Sequence, residues 1–496
     1  MTHQLLYELE QFPKNSQISS LFKEMMLNFY PKIKSINSRI ALDLGFLYIY
    51  RKLDNEDEKE RLINFWKKNS PSKTIQLPMG EFFYRPYLDF VYLDKIMNGL
   101  FIEIALEQFT KFNKLSFIES CIILFDIERY FVVPLSEMDV KIIETIRDRI
   151  KNNLPYSNEI LSTLLNVRSN YISRRLGYLR NNVYFRVTGT VNYAKIGLNL
   201  YLILINSSPK ISEQIPEFFT SPYTRTIRRC PNQYFDYIIS LTLPQDIEIK
   251  LGGYLEQLKH LGKIQDYYFD QVTSISHNID FSYYVYSKRP SVLSATKPGF
   301  HIDWFKERIL SMTDISTNGE NSYHRFFFEG SPVKLSSLDL KVMTLYRRDL
   351  DSSVRTIAKQ LSLSWDEANI HMTRVKPVLF PMILLYYMGL NQTTILFFKT
   401  ISQSSLHSLE TVLKRMPQTF SYALKGGGAI VTVDLMNGSH RLNDLICEVM
   451  PELRNAQFSL ASKTRGIFRP IPYKFFDEET NKWFFPENFF LFKELK

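Results

Sequence analysis

The sequence predicts an α+β fold of several domains built from repeated units. Three observations carry that expectation. The chain has 496 residues, more than one hydrophobic core organises. A glycine followed by an apolar residue introduces a strand-like run at three places: Leu44-Gly45-Phe46, Ile196-Gly197-Leu198 and Met388-Gly389-Leu390. Each is followed by the order strand, helix, strand, strand, helix, strand, and similar helical segments precede the second and third.

Hydrophobic residues make up 45% and charged residues 23%, the balance of a packed chain rather than a disordered one. The net charge of +10 favours an acidic partner, for which nucleic acid is the usual candidate. Cys121, Cys230 and Cys447 are far apart and form no C-x-x-C pair, so neither a metal site nor a disulfide framework is expected. No cofactor is expected either. The N-terminus lacks a signal-peptide pattern, and no apolar run is long enough to span a bilayer. A cytoplasmic protein without a membrane partner is the expectation.

Taken in order, residues 1–133 read as a diverged copy. Gln17–Met26 and Lys32–Arg39 are its helical remnant. A ferredoxin-like unit follows from about residue 40: strand 42–50, helix 55–69, strands near 73–79 and 86–93, helix 94–112 and strand 121–126.

Residues 134–195 read as a winged helix-turn-helix. Ser136 is placed to cap a first helix whose Ile142, Ile143, Ile146 and Ile150 share one face. A second helix over Leu161–Val167 and a third carrying Ile172, Leu176 and Leu179 follow. Val183–Arg186 and Thr188–Asn192, turning near Gly189, read as the wing hairpin. Residues 196–275 then give the ferredoxin-like order: strand Leu200–Ile205, helix Glu213–Phe219, strands Tyr223–Arg229 and Tyr234–Leu243, helix Ile247–Leu261 and strand Gln265–Val272.

Residues 276–334, with Pro290, Pro298 and Pro332, read as a linker holding a short helix at Phe300–Ile309. Residues 335–388 repeat the winged helix-turn-helix in degenerate form. Leu335-Ser336 and Asp339 match Leu135-Ser136 and Asp139, and Ile357–Leu363 aligns with Leu161–Val167 without gaps. Residues 389–463 repeat the ferredoxin-like order, with strands at 393–399, 419–425, 429–435 and 455–462 and helices at 405–416 and 439–450. Residues 464–496 form an aromatic tail expected to pack back on the last domain.

The stretch 165–190 contains Arg168, Arg174, Arg175, Arg180 and Arg186 and no Asp or Glu. The third helix is expected to begin near Ser169, with that hydroxyl as its cap. Opposite its apolar face stand Asn170, Ser173, Arg174 and Gly177. Arg, Asn and Ser reach phosphates and base edges in the major groove, and a helix N-terminus favours phosphate. Double-stranded DNA is therefore the expected partner, with Arg168, Ser169, Asn170, Ser173, Arg174, Arg175, Arg180 and Arg186 as contacts. The competing reading is a solvated basic surface. In the second copy Asp366 and Glu367 set negative charge at the corresponding helix start, and Pro377 and Pro381 interrupt the wing. That copy is expected to face protein rather than DNA.

Residues 135–275 resemble the leucine-responsive/AsnC (Lrp/AsnC) family of transcription regulators. The likeness rests on Leu135-Ser-Glu-Met-Asp139, Ile142-Ile143, Ser169–Leu179, Lys195-Ile-Gly197-Leu198 and Tyr234-Phe-Asp236-Tyr237, and 335–462 look like a diverged second copy. The resemblance implies sequence-specific DNA binding, a homodimer joined through the ferredoxin-like sheets, and an amino-acid-sized effector at that interface. With tandem copies, the sheet-to-sheet contact can instead form within one chain. In the middle domain Cys230-Pro-Asn-Gln233 stands where the family has a glycine, so the effector expectation moves to Gly426-Gly427-Gly428, for which a tight hairpin is the commoner reading. A scaffold that senses effectors or binds protein without touching DNA is the alternative.

No nucleotide, zinc-protease or serine-hydrolase motif is present, so the chain is expected not to be an enzyme. Sirohaem decarboxylases share the layout and are expected to carry histidines on the sheet. Here Tyr223–Arg229 has none, and His277 reads as lying beyond the last strand.

Overall fold

The computed structural model describes residues 16–486, apart from 34–35, 78–79, 98, 113–114, 131–132, 134, 184, 209–210, 231–233, 282–283, 286–298, 301–323, 386–389, 391, 414–415, 436–456 and 463–470. The expected helices at 300–309 and 439–450 fall essentially outside the described residues. The chain divides into two compact units, residues 1–131 and 132–496. The fold is mixed helix and antiparallel sheet.

The first unit corrects the expected N-terminal copy. It is built of helices: α1 (Gln17–Glu24), extended by a π-turn at Met25–Phe29 and a last turn at Tyr30–Ile33, then α2 (Ser38–Lys52) and α3 (Glu56–Asn69). A hairpin of β1 (Lys73–Leu77) and β2 (Gly80–Tyr84) leads to α4 (Pro86–Ile96), α5 (Phe101–Thr110) and α6 (Phe117–Tyr130). The run read as a strand at 42–50 lies inside α2. Asn37 caps that helix, and Leu44, Gly45, Phe46, Leu47 and Ile49 are all buried. A helix wrapped by core on every side loses its amphipathic period and looks like a buried strand. Gly45 serves packing rather than a turn, since a Cβ there would sit 3.0 Å from Met25 Sδ.

A buried carboxyl ties this unit together. Asp43 accepts hydrogen bonds from Trp66 Nε1 (2.7 Å) on α3 and from the Tyr84 hydroxyl on β2. Burial pushes the Asp43 carboxyl up to about 6, against the pull of those bonds and of Arg39. The folded state thus holds the proton more tightly than the unfolded chain. This contribution to stability is full below about pH 4 and is lost as pH rises through about 6. Held that far above an ordinary aspartate, the proton is worth about 3 kcal/mol to the fold. Asp43→Asn should remove that dependence, leaving Trp66-monitored thermal melts nearly flat between pH 4 and 7; a variant with the wild-type slope would exclude Asp43 as its source.

The second unit opens with three helices, α7 (Glu137–Lys151), α8 (Asn158–Leu165) and α9 (Ser169–Asn182), followed by β3 (Arg186–Val191). Next come β4 (Leu198–Ser207), α10 (Ile215–Phe219), β5 (Thr224–Arg229), β6 (Tyr237–Pro244), α11 (Glu248–His260) and the long β7 (Ile264–Ile279). Short strands β8 (Tyr284–Val285), β9 (Gly299–Phe300) and β10 (His324–Phe327) lie in the stretch read as linker. A second set of helices, α12 (Ser337–Tyr346), α13 (Val354–Leu361) and α14 (Trp365–Val375), leads to β11 (Leu379–Leu384). Then follow β12 (Gln392–Phe398), α15 (Gln403–Leu413), β13 (Gln418–Leu424), β14 (Ala429–Leu435) and β15 (Gln457–Ser462). A small pair, β16 (Phe476–Asp477) and β17 (Lys482–Trp483), closes the described chain.

One antiparallel sheet runs β15-β12-β14-β13-β7-β4-β6-β5, and β10 also pairs with β7. Each half has its strands in the order fourth, first, third, second. They join where β13 pairs with the C-terminal part of β7, Gln418 opposite Ile279 and Tyr422 opposite Ile275. The two helical sets join as well, through β3 and β11, with Val191 opposite Leu379 and Arg186 opposite Leu384. The contact between the two tandem halves is thus made within one chain.

The aromatic tail also differs from its expectation. Its described part packs on the middle region and on the start of α12, where Leu335 N donates to Asn481 Oδ1 at 3.4 Å and Ser337 N to Glu478 Oε1 at 2.6 Å. Trp483 donates its indole N–H to the Ile196 carbonyl, and the Tyr223 hydroxyl donates to Phe484 O at 2.7 Å. Large rings with a polar tip bury best where that tip finds a carbonyl.

Candidate nucleic-acid interface

The two helical sets start alike. Ser136 and Ser336 cap α7 and α12, and Asp139 and Asp339 complete reciprocal capping boxes. The second helices are capped by Ser157 and Ser353 and end at Asn166 and Ser362, both left-handed with φ 53° and 56°. The third helix of the first set starts at Ser169, but its cap position is Arg168, which makes no side-chain capping bond. The hydroxyl expected to cap it therefore sits one residue inside.

Helical spacing divides the α9 side chains. Ile172, Leu176 and Leu179 are buried, while Arg168, Asn170, Ser173 and Arg174 are exposed and Ser169 is half-buried. The Arg174 guanidinium lies 5.5 Å from the centre of the Tyr171 ring.

The remaining three arginines turn inward to carboxylates. Arg175 donates from Nε to Asp139 Oδ1 at 2.7 Å and from Nη2 to Oδ2 of the same fully buried carboxylate. Burial opposes the Arg175 charge, and Asp139 more than compensates, holding the guanidinium above its ordinary range. Arg180 Nη2 donates to Asp351 Oδ2 at 2.7 Å, and Asp351 also accepts from Tyr156. Arg186 donates to the carbonyls of Phe185 (2.7 Å) and Arg180 (3.1 Å), with Asp349 3.9 Å away. Arg180 and Arg186 thereby brace the first helical set against the turn between α12 and α13.

The expected wing hairpin is absent. Residues 186–191 form one strand whose partner is β11 of the other set, so Gly189 lies in mid-strand. β11 forms despite Pro381. In this two-stranded sheet Pro381 stands opposite Gly189, whose N–H points away from β11 and donates to Arg347 O at 2.7 Å, so this pair exchanges no ladder bond and the missing N–H of Pro381 costs none.

The corresponding surface of α14 carries exposed Trp365, Asp366, Glu367, Ile370, Thr373 and Arg374. In that copy Asp339 faces His371 Nδ1 at 2.7 Å, the place Arg175 takes in the first. The inward-reaching capping aspartate is thus built twice, and Ser-x-x-Asp at both helix starts was its sequence signal.

Gly426, Gly427 and Gly428 form the turn between β13 and β14. Gly426 N donates to Asp270 Oδ2 at 2.8 Å, so a carboxylate of the chain already fills the position read for an effector. A Cβ on Gly428 would meet the carbonyl oxygens of Phe398 and Lys399 at 2.7 and 2.8 Å. Gly428→Ala should therefore shift the hairpin and cost roughly 1–3 kcal/mol in urea unfolding; an unchanged midpoint would show that the turn moves freely.

His277 lies within β7, opposite Phe420 with ring centres 4.5 Å apart, and not beyond the last strand as the sequence suggested. Among the described residues, no group of three or more His, Cys, Asp or Glu could hold a metal ion. No helix there is long and apolar enough to cross a membrane.

No family model matches the sequence, and no curated protein matches it. Among solved structures, the siroheme decarboxylase NirDL in co-complex with an iron-uroporphyrin III analogue is 14% identical, covering 65% of this chain and 90% of its own, at TM-score 0.34. A second structure of siroheme decarboxylase NirDL is 15% identical with the same coverage and score. PH0061 is 17% identical over 28% of this chain and 92% of its own, at TM-score 0.20. The expectation that the chain is not an enzyme is corrected by these neighbours. Two of them are structures of an enzyme.

Proposed function

We propose that the second unit binds double-stranded DNA through the outer face of α9, as a transcription regulator of the Lrp/AsnC type whose helix-turn-helix lacks the wing hairpin. The contact set is smaller than the sequence suggested: Arg168, Ser169, Asn170, Ser173 and Arg174. One observation carries the reading. The exposed Asn170 amide, Ser173 hydroxyl and Arg174 guanidinium share one face of the third helix, and exposed Arg168 stands at its N-terminus, which has no side-chain cap. Arg175, Arg180 and Arg186 leave the contact set and act as braces.

The α9 N-terminus presents amide N–H groups and a favourable dipole to a phosphate. Arg168 and Arg174 add charge, while Asn170 and Ser173 can reach base edges. The α14 surface, with Asp366 and Glu367 at the same end, repels phosphate, so each chain offers one DNA-reading helix. A regulator reading a two-fold operator would then use two chains.

The alternative scaffold reading draws on the three neutralised arginines. Titration of a labelled duplex with the full chain between about 50 and 200 mM salt separates the two. Binding that weakens steeply with salt supports DNA contact. Absence of binding at the lowest salt leaves the scaffold.

A further inference from the structure

The third helices of the two sets carry matching stripes of opposite character. On α9, Asn170, Arg174, Gly177 and Asn181 stand three or four residues apart, on the side away from buried Ile172, Leu176 and Leu179. The first three of these positions are occupied on α14 by Asp366, Ile370 and Thr373, on the side away from buried Ala368, Met372 and Val375. Every member of both stripes is exposed except Gly177, which is half-buried.

Each stripe has a feature that packing within the chain leaves unused. Gly177 sits in mid-helix, where glycine is disfavoured against alanine, yet a Cβ there would meet nothing within 4 Å. The result is an open notch one turn beyond Arg174. Ile370 is 51% exposed, on a helix whose inner side is already filled, and it stands one turn beyond Asp366. The charges are opposite as well. Arg168 and Arg174 are exposed on α9, whereas Asp366 and Glu367 are exposed on α14. Glu367 closes the capping box with Ser364, and Arg374 at the far end of α14 has Asp339 3.9 Å away.

We infer that, in the absence of DNA, the α9 stripe of one chain docks on the α14 stripe of a second copy. With the two helices side by side and parallel, Ile370 enters the notch at Gly177 while Asp366 reaches Arg174. Charge complementarity names the occupant, since one sequence supplies cation and notch on one helix and acid and apolar knob on the other. Each chain carries both stripes, so a two-fold pair makes the contact twice. Two helix contacts bury little surface, so the pair is weak, reversible and sensitive to salt. The β7–β13 and β3–β11 joints take no part, being made within one chain. The consequence rests on the DNA reading above. The pair covers the face that would meet phosphate, so duplex and second copy compete for α9.

Sedimentation equilibrium of the full chain tests it. At about 50 μM chain the mass should be that of two chains in low salt and of one chain at about 0.5 M salt. Arg174→Asp and Asp366→Arg alter exposed positions, and each alone should weaken pairing at least about tenfold by setting like charges together. Mixed in equal amounts, the two variants should pair again, because every α9–α14 contact between them joins opposite charges. A duplex of about 12 base pairs, too short for two half-sites a helical turn apart, should convert wild-type pairs into complexes holding one chain. Three outcomes overturn the docking: a single-chain mass for the wild type in low salt, single variants that pair as the wild type does, or a mixture that stays unpaired. Pairs that persist with duplex bound overturn the covering of α9. A duplex that never binds sinks the DNA reading alone, and the mixed variants still decide the docking.

Discussion

Asp139→Ala should lower the stability of the second unit by about 3 kcal/mol. The carboxylate is fully buried and does two tasks. It accepts from Ser136 N at 2.9 Å and Ser136 Oγ at 2.7 Å, closing the start of α7, and it holds Arg175 of α9 through two bonds. Its loss removes half of a capping box, worth about 1 kcal/mol, and strips Arg175 of its counter-charge. Arg175 keeps some solvent contact, so the cost falls at the low end of the range for breaking a buried pair. The double variant Asp139→Ala with Arg175→Met should recover part of the loss, because no unpaired charge remains. Urea unfolding followed by the fluorescence of buried Trp483 reports this unit. If the double variant is as unstable as the sum of the singles, the two groups are not coupled.

Asp339 makes the same connection in the second helical set with His371 instead of Arg175. This repetition explains what the sequence made legible. The helical sets could be read because their caps and apolar periods are local signals: Ser136 and Ser336, then Ile142, Ile143, Ile146 and Ile150 on one face. The β4–β7 and β12–β15 strands could be read because they alternate or run apolar between turns. The first unit could not. In α2 the buried positions include Leu44, Gly45, Phe46, Leu47 and Ile49, so the period that separates helix from strand is erased. Gly45, taken as a strand marker, makes room for the Met25 sulfur.

The candidate interface was legible in part for a related reason. The window 165–190 holds no acid, which was read as a free positive surface. The carboxylates that meet its arginines come from distant segments: Asp139 for Arg175, Asp351 for Arg180 and Asp349 near Arg186. Sequence windows report local charge, whereas neutralisation depends on which turns the fold brings together. The wing failed similarly, since β3 finds its partner in β11, far along the chain.

Arg168→Ala combined with Arg174→Ala should weaken duplex binding at least about tenfold at low salt. It should also reduce the slope of log affinity against log salt by about 2, since each phosphate contact contributes roughly 0.9. Both side chains are exposed and neither holds a salt bridge among the described residues, so the fold should be unchanged. Arg180→Ala behaves differently under this scheme. Its guanidinium is engaged with Asp351, so its removal should loosen the junction of the helical sets and lower thermal stability while leaving the salt slope alone. The contrast gives the experiment its force, because every variant removes positive charge and only the α9 pair removes charge that can meet a phosphate. Equal slopes for wild type and the Arg168/Arg174 variant would mean that α9 does not lie against DNA. A slope change on replacing Arg180 instead would place the contact at the junction, with Asp351 exchanged for phosphate when DNA binds.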